Sequence, residues 1–190
     1  MQKTTTYYIT HLQKPALELQ NAFIKKFKQT WGLRESVCEL VIQIGHLIHA
    51  LSTENLSLTD ALQQQARKPI HNISDELSDC LLSLLSISFY TPISETDIEN
   101  IPPLQNLDIS NLNDVTLALS VLGPQLLDSY EIYIGLKPGF KRDERKIFIT
   151  LWEKIFMIIL ELANFNNIDL EKQFHHMLES AYHFLSLSQQ

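Results

Sequence analysis

The chain carries its clearest structural signal at Ile42-Gln43-Ile44-Gly45-His46-Leu47-Ile48-His49-Ala50-Leu51. Across residues 33–52 the apolar side chains recur at helical spacing and cover most of the circumference, so the segment predicts a buried, central helix. About one helix later comes Asp75-Glu76-Leu77-Ser78-Asp79-Cys80-Leu81-Leu82, at the start of a second apolar helix with Ser74 as its predicted N-cap. These two segments predict a pair of core helices.

The rest of the chain adds four predicted helices, over residues 16–30, 114–133, 145–164 and 170–187. Pro15 marks the predicted start of the first of them, Asp169 caps the last, and Gly123-Pro124 predicts a kink. A short helical piece is predicted at residues 60–67, inside a polar connection. Because no segment has the pattern of a strand, the fold class is predicted to be all-α, a helical bundle.

The chain also predicts a division into two similar halves. Residues 91–113 contain Pro92, Pro102 and Pro103 among Ser, Asn and Asp, a composition expected to exclude helix and to form a linker. In residues 1–90 a Gly-containing apolar helix, a polar connection and an apolar helix with acids follow one another, and residues 114–190 repeat that order. We therefore expect two degenerate tandem halves, of which the second is structural.

Composition narrows the classes of function. A formal charge of −7 and a pI near 5.4 repel phosphate backbones, which argues against binding of nucleic acid. A single nucleotide remains possible, since a bound divalent cation changes the charge that its phosphates meet. With no apolar run of about 20 residues, only two Cys and no signal-peptide pattern, we expect no membrane span, no disulfide framework and a cytoplasmic location.

Two acids near the start of the second core helix form a candidate metal site. Glu76 and Asp79 stand three residues apart, so they share a helix face and could hold one hard divalent cation. On the preceding helix, Gln43 and His46 occupy the same spacing, and Glu39 lies one turn before Gln43. A structural alternative is that the acids favour the positive end of a helix dipole, with His46 simply hydrogen-bonded in a partly buried position.

These two segments resemble the motifs of a known superfamily, the MazG-like all-α nucleoside triphosphate pyrophosphatases, which include MazG and the dimeric dUTPases. In that superfamily one helix carries Glu-x-x-Glu within Glu-(Ile/Val)-Gly-Glu-Leu, and the next carries Glu-x-x-Asp within Glu-Leu-x-Asp-(Val/Leu)-Leu. Glu76-Leu77-Ser78-Asp79-Cys80-Leu81-Leu82 is similar to the second motif. Gln43-Ile44-Gly45-His46-Leu47 is similar to the first except at its two acids. Helix entries at Trp31-Gly32-Leu33 and 167–171 extend the resemblance over nearly the whole chain.

The resemblance implies hydrolysis of a nucleoside triphosphate to a monophosphate and pyrophosphate by a water that Mg²⁺ or Mn²⁺ activates. It implies a metal site whose ligands are Glu76, Asp79, Gln43 and His46, with Glu39 in reserve. Trp31 is the candidate contact to the base, whereas Met177 occupies the position where the family has a phosphate-binding lysine. A homodimer is a further implied possibility, because many relatives complete the bundle with a second subunit.

Replacement of two of the four carboxylates leaves two functions open. One is a metal-dependent pyrophosphohydrolase with an altered ligand set, because Gln43 retains a neutral oxygen and the ring nitrogen of His46 suits Mn²⁺ better than Mg²⁺. The other is a pseudoenzyme, a non-catalytic nucleotide-binding or protein-interaction scaffold that uses only the fold.

Overall fold

The computed structural model describes residues 3–52, 72–99, 101–102, 107–139 and 143–187, and the regular structure in these ranges is entirely helical. The helices of this part of the chain are α1 (Thr5–Phe27), α2 (Leu33–Ser52), α3 (Ile73–Tyr90), α4 (Glu95–Glu99), α5 (Leu112–Tyr133), α6 (Glu144–Phe165) and α7 (Leu170–Leu187). The predicted all-α class is therefore confirmed. The helical piece predicted at residues 60–67 lies outside the described residues.

Four long helices form a ring of neighbours around the core. α2 packs against α3 and α5, and α6 packs against the same two helices from the other side. α1 and α7 contact each other and cover α3, while the short α4 rests on α6. No helix in the described part of the chain is both long enough and apolar enough to cross a membrane.

α3 has neighbouring helices on four sides, so most of its side chains are buried. Its serines suit this buried position because they are small and form hydrogen bonds within the helix. Ser78, Ser83, Ser86 and Ser88 are all buried. Each hydroxyl donates to a backbone carbonyl within its own helix, with oxygen–oxygen distances of 2.8–3.2 Å. A small side chain lets neighbouring helices approach, and the internal hydrogen bond satisfies a hydroxyl that water cannot reach. The serines thus allow α3 to be central.

Trp152 of α6 fills the space between α6 and α3. Its side chain is completely buried, its Nε1 donates to the backbone oxygen of Leu84 at 3.1 Å, and its ring lies edge-on to Phe156 with centroids 5.3 Å apart. Indole N–H groups in apolar surroundings need an acceptor, and here a backbone carbonyl provides it. Trp152 therefore fixes the position of α6 along α3.

The predicted kink at Gly123-Pro124 does not end the helix, since α5 continues from Leu112 to Tyr133. Gly123 is buried and lies where α5 meets α2: a Cβ at this position would lie 3.4 Å from Cδ1 of Ile44. The missing side chain allows the two helices to approach, so this glycine serves packing.

The prediction for the first helix is wrong at its start, because α1 begins at Thr5 and contains Pro15 in its interior. The Thr4 side chain accepts a hydrogen bond from the backbone N–H of Tyr7 and caps the helix. Buried side chains continue at helical spacing on both sides of the proline, at Tyr8, Leu12 and Leu19. Packing of this face outweighs the hydrogen bond that Pro15 cannot make.

Two local predictions around α3 need correction. Its N-cap is Asn72 rather than Ser74, with the Asn72 side chain accepting from the backbone N–H of Asp75 at 3.1 Å. The predicted linker contains α4, which begins with reciprocal hydrogen bonds between Ser94 and Asp97 and is held to α6 by Arg145 at 3.1 Å from Asp97. The Arg145 guanidinium, together with Ser94, keeps the pKa of Asp97 well below its usual range.

The other helix predictions hold closely. α2 has the predicted bounds, α6 differs by one residue at each end, and α7 runs from Leu170 to Leu187 with the Asp169 carboxylate accepting from the backbone N–H of Lys172 at 3.2 Å. Buried apolar residues of both predicted halves belong to a single core cluster. The origin of the chain from two tandem halves stays a prediction.

Candidate functional site

The two predicted motifs lie on helices that are direct neighbours. Glu39, Gln43 and His46 are on successive turns of α2, and Glu76 and Asp79 are on the first two turns of α3. The wide apolar faces of both helices are buried against each other and the rest of the core, which brings these polar positions together at one edge. His46 Nδ1 lies 3.7 Å from Oε2 of Glu76.

On α2, hydrogen bonds link the three polar side chains one after another. Gln43 is buried, and its Nε2 donates to Oε1 of Glu39 at 2.7 Å. Oε1 of Gln43 lies 3.1 Å from Nδ1 of His46. Because an amide oxygen only accepts hydrogen bonds, this contact places a proton on Nδ1 of His46.

The two acids of α3 differ in exposure. The Glu76 side chain is 1% exposed, whereas Asp79 is half-buried. Cys80 lies beside them and is fully buried; burial raises the pKa of its thiol well above the ordinary value, and the charges of Asp79 and Glu76 raise it further. The Cys80 thiol is therefore neutral at physiological pH and is a poor metal ligand or nucleophile.

The resemblance implies Mg²⁺ or Mn²⁺ at these residues, and each metal needs a suitable set of donor atoms. Mg²⁺ requires near-octahedral oxygen ligands. The nitrogen and the oxygen of the Gln43 amide already form contacts with Glu39 and His46. His46 offers a nitrogen instead of an oxygen, and the side chain of Glu76 is buried. Within the described residues, no group of three or more His, Cys, Asp or Glu side chains is arranged to hold a metal ion. In these positions the residues do not supply the oxygen ligands that Mg²⁺ requires. The set of metal ligands stays a prediction.

Trp31, the candidate base contact, holds two helix ends together. Its Nε1 donates to Oγ of Ser36 at 3.0 Å, and its backbone oxygen accepts from the hydroxyl of Tyr90 at 3.1 Å. Ser36 precedes Gln43 by seven residues, about 10 Å along the helix axis. The contacts explain a structural role for Trp31, and its contact to a base stays a prediction.

Two features outside the predicted site were missed by sequence reasoning. A cavity of about 200 Å³ lies between the start of α1 and the junction of α6 and α7, and is lined by Lys3, Tyr8, Leu160, Ala163, Asn164, Ile168, Asp169 and Leu170. Glu153 of α6 is buried against Thr5 of α1. Its position between Trp152 and Ile155 in an apolar segment was the available signal, but sequence alone does not tell which helix covers it.

Comparison of the chain with family models, with curated proteins and with solved structures gave no match. The relation to the MazG-like superfamily therefore rests on the quoted motifs and stays a prediction. To these motifs the structure adds the position of their residues, on two adjacent helices with His46 and Glu76 in contact distance.

Proposed function

We propose that this chain is a MazG-related helical bundle that works without catalysis, as a nucleotide-binding or protein-interaction scaffold. The observation that supports it is the connected series Glu39–Gln43–His46–Glu76, in which the positions of two family acids hold an amide and an imidazole that bond to each other. An interaction among the protein's own side chains takes the place of contacts that a metal would make.

Charge and burial support this proposal. Replacing two carboxylates by neutral groups lowers the negative potential that attracts a divalent cation. Gln43 cannot turn its oxygen toward a cation without giving up its bond to His46, and a buried amide that loses a partner costs about 1–3 kcal/mol. The enclosed carboxylate of Glu76 would also have to be uncovered before it could meet a substrate.

A second candidate function is the pyrophosphohydrolase with an altered ligand set. It is favoured by the position of Asp79, a half-buried residue about one turn after Glu76 on the same helix. In this alternative, His46 and Gln43 complete the set of ligands with Glu76 and Asp79.

Pyrophosphate release decides between the two functions. We expect ribo- and deoxynucleoside triphosphates, incubated with Mg²⁺ or with Mn²⁺, to release no more pyrophosphate with the wild-type protein than with Asp79→Asn. Asp75→Asn is the matched control, since Asp75 lies in the same helical turn as Glu76 but outside the motif. Release that disappears in Asp79→Asn and Glu76→Gln but persists in Asp75→Asn would establish the enzyme and refute the scaffold.

Restoring the missing acids tests the relation to the superfamily separately. We expect the double substitution Gln43→Glu with His46→Glu to lower the thermal midpoint in EDTA, because it adds two negative charges beside Glu39 and Glu76. Millimolar Mg²⁺ should then restore stability, by about 2.7 kcal/mol at a hundredfold excess over the dissociation constant. The wild-type midpoint should not respond to Mg²⁺. A double variant that gains nothing from Mg²⁺ or Mn²⁺ would argue against a metal site of this type.

A further inference from the structure

The first turn of α1 is fixed to the bundle at two places of different character. On one side, two residues contact the Glu171 carboxylate of α7. Nζ of Lys3 lies 2.5 Å from Oε2 of Glu171, and the hydroxyl of Tyr7 lies 3.1 Å from the same oxygen. On the other side the hydroxyl of Thr5 donates to Oε1 of Glu153, on α6, at 2.8 Å. The contact to α7 lies near the surface, and the contact to α6 is buried.

Glu153 is an unusual group for the interior of this bundle. The residue is 4% exposed, as is Thr5, and within the described residues its Oε2 has no hydrogen-bond partner. Burial raises the pKa of Glu153 to about 7, and the hydrogen bond from Thr5 lowers it only in part. Near neutral pH the carboxyl group is therefore divided between a neutral form that suits the interior and an ionised form that requires water.

The charged groups of the helices around α6 give Glu153 no compensating charge. α3 carries no Asp, Glu, Lys, Arg or His between Cys80 and Tyr90. Among the cations of the other elements, Lys3 pairs with Glu171, Lys14 with Glu18, and Arg145 with Asp97. The pKa of Glu153 is set by burial and by the hydrogen bond from Thr5, with no contribution from a cation. The remaining titratable groups of the first two turns of α1 are Tyr7, Tyr8 and His11, of which Tyr7 and His11 stack on each other.

We propose that the Thr5–Glu153 contact is a pH-sensitive latch: when Glu153 loses its proton above neutral pH, the first turn of α1 detaches from α6 while Glu171 keeps it attached to α7. Helix ends open more easily than helix centres, and Thr5 lies at such an end. The outer attachment persists because its hydrogen bonds raise the pKa of Lys3 and lower that of Glu171, so both stay charged when Glu153 titrates.

The latch makes a quantitative prediction for amide hydrogen exchange. The opening constant of the turn should rise about 30-fold from pH 5.5 to pH 8.5, as follows from a carboxyl pKa of 4.5 in water and about 7 when buried. After correction for intrinsic exchange rates, protection at residues 8–12 should fall by that factor in the wild-type protein and should not change in Glu153→Gln. Glu161→Gln, an exposed acid on the same helix, is the matched control and should behave as wild type.

A second variant tests the other partner. Thr5→Val keeps the shape of the side chain and removes the donor, so protection at residues 8–12 should be lower than in the wild type at both pH values. The latch is refuted if Glu153→Gln keeps the wild-type dependence on pH, or if Thr5→Val leaves protection unchanged. It is equally refuted if residues 8–12 are as strongly protected as α3 at both pH values, because exchange at the first turns of α1 would then require unfolding of the whole bundle.

Discussion

Replacing Trp152 by alanine is expected to lower the free energy of unfolding by about 4 kcal/mol. The substitution removes a completely buried indole, opens a cavity between α6 and α3, and leaves the backbone oxygen of Leu84 without its donor. Chemical denaturation followed by far-ultraviolet circular dichroism measures the loss directly. Because a domain of this size is stabilised by about 5–15 kcal/mol in total, Trp152→Ala should be strongly destabilised and still folded in the cold.

Two comparisons separate packing from the hydrogen bond. Trp152→Phe keeps an aromatic ring beside Phe156 but removes the donor, and should cost less than the alanine substitution. Leu117→Ala removes a large apolar side chain from an α5 position that is 64% exposed, and should change stability by no more than about 0.5 kcal/mol. If Trp152→Ala cost as little as Leu117→Ala, the central position of Trp152 between α3 and α6 would be wrong.

The second large effect depends on pH and concerns Glu153. The pKa of its carboxyl is raised from 4.5 to about 7 by burial, so the folded state holds the proton more tightly than the unfolded state. The contribution of Glu153 to the free energy of unfolding is therefore fully present below pH 4.5. It is lost as the pH rises through 7. Between pH 5 and pH 8.5, the free energy of unfolding of the wild type should fall by about 2.5 kcal/mol relative to Glu153→Gln.

Measuring the two proteins side by side removes the contribution of all other titrating groups, because only Glu153 differs. Urea unfolding at pH 5, 6, 7, 8 and 8.5 gives the difference at each value. Glu161→Gln supplies the baseline for loss of a negative charge from an exposed site on α6. A constant difference between wild type and Glu153→Gln across this range would mean that Glu153 is ionised in the folded protein from pH 5 upward.

Most of the helical layout could be predicted from periodicity. α2 has its predicted bounds because apolar side chains at helical spacing extend from one end of it to the other, and α6 is similar. The start of α1 was missed because Pro15 is an unfavourable helix residue, and local preference gave way to burial of Tyr8 and Leu12. Likewise α4 depends on the contact of Asp97 with Arg145, which are 48 residues apart.

The candidate site was predictable as a set of positions but not as a chemical environment. Spacing alone placed Gln43 and His46 on one face and Glu76 with Asp79 on another. Exposure of Glu76 and the direction of the Gln43 amide depend on how α2 and α3 approach each other, which periodicity does not specify. The burial of Glu153 depends in the same way on where α1 lies in the folded bundle.

The contact of Lys3 with Glu171 spans 168 positions in the chain, and this separation has a consequence for synthesis. Ribosomes add roughly 5–20 residues per second, so about 8–34 s pass between the emergence of these two partners. During that interval α1 can pack against α3, which is made earlier, but its contacts with α6 and α7 form only after those later helices have been made. The part of α1 that α7 covers therefore lacks its final neighbour until residues 170–187 have been made.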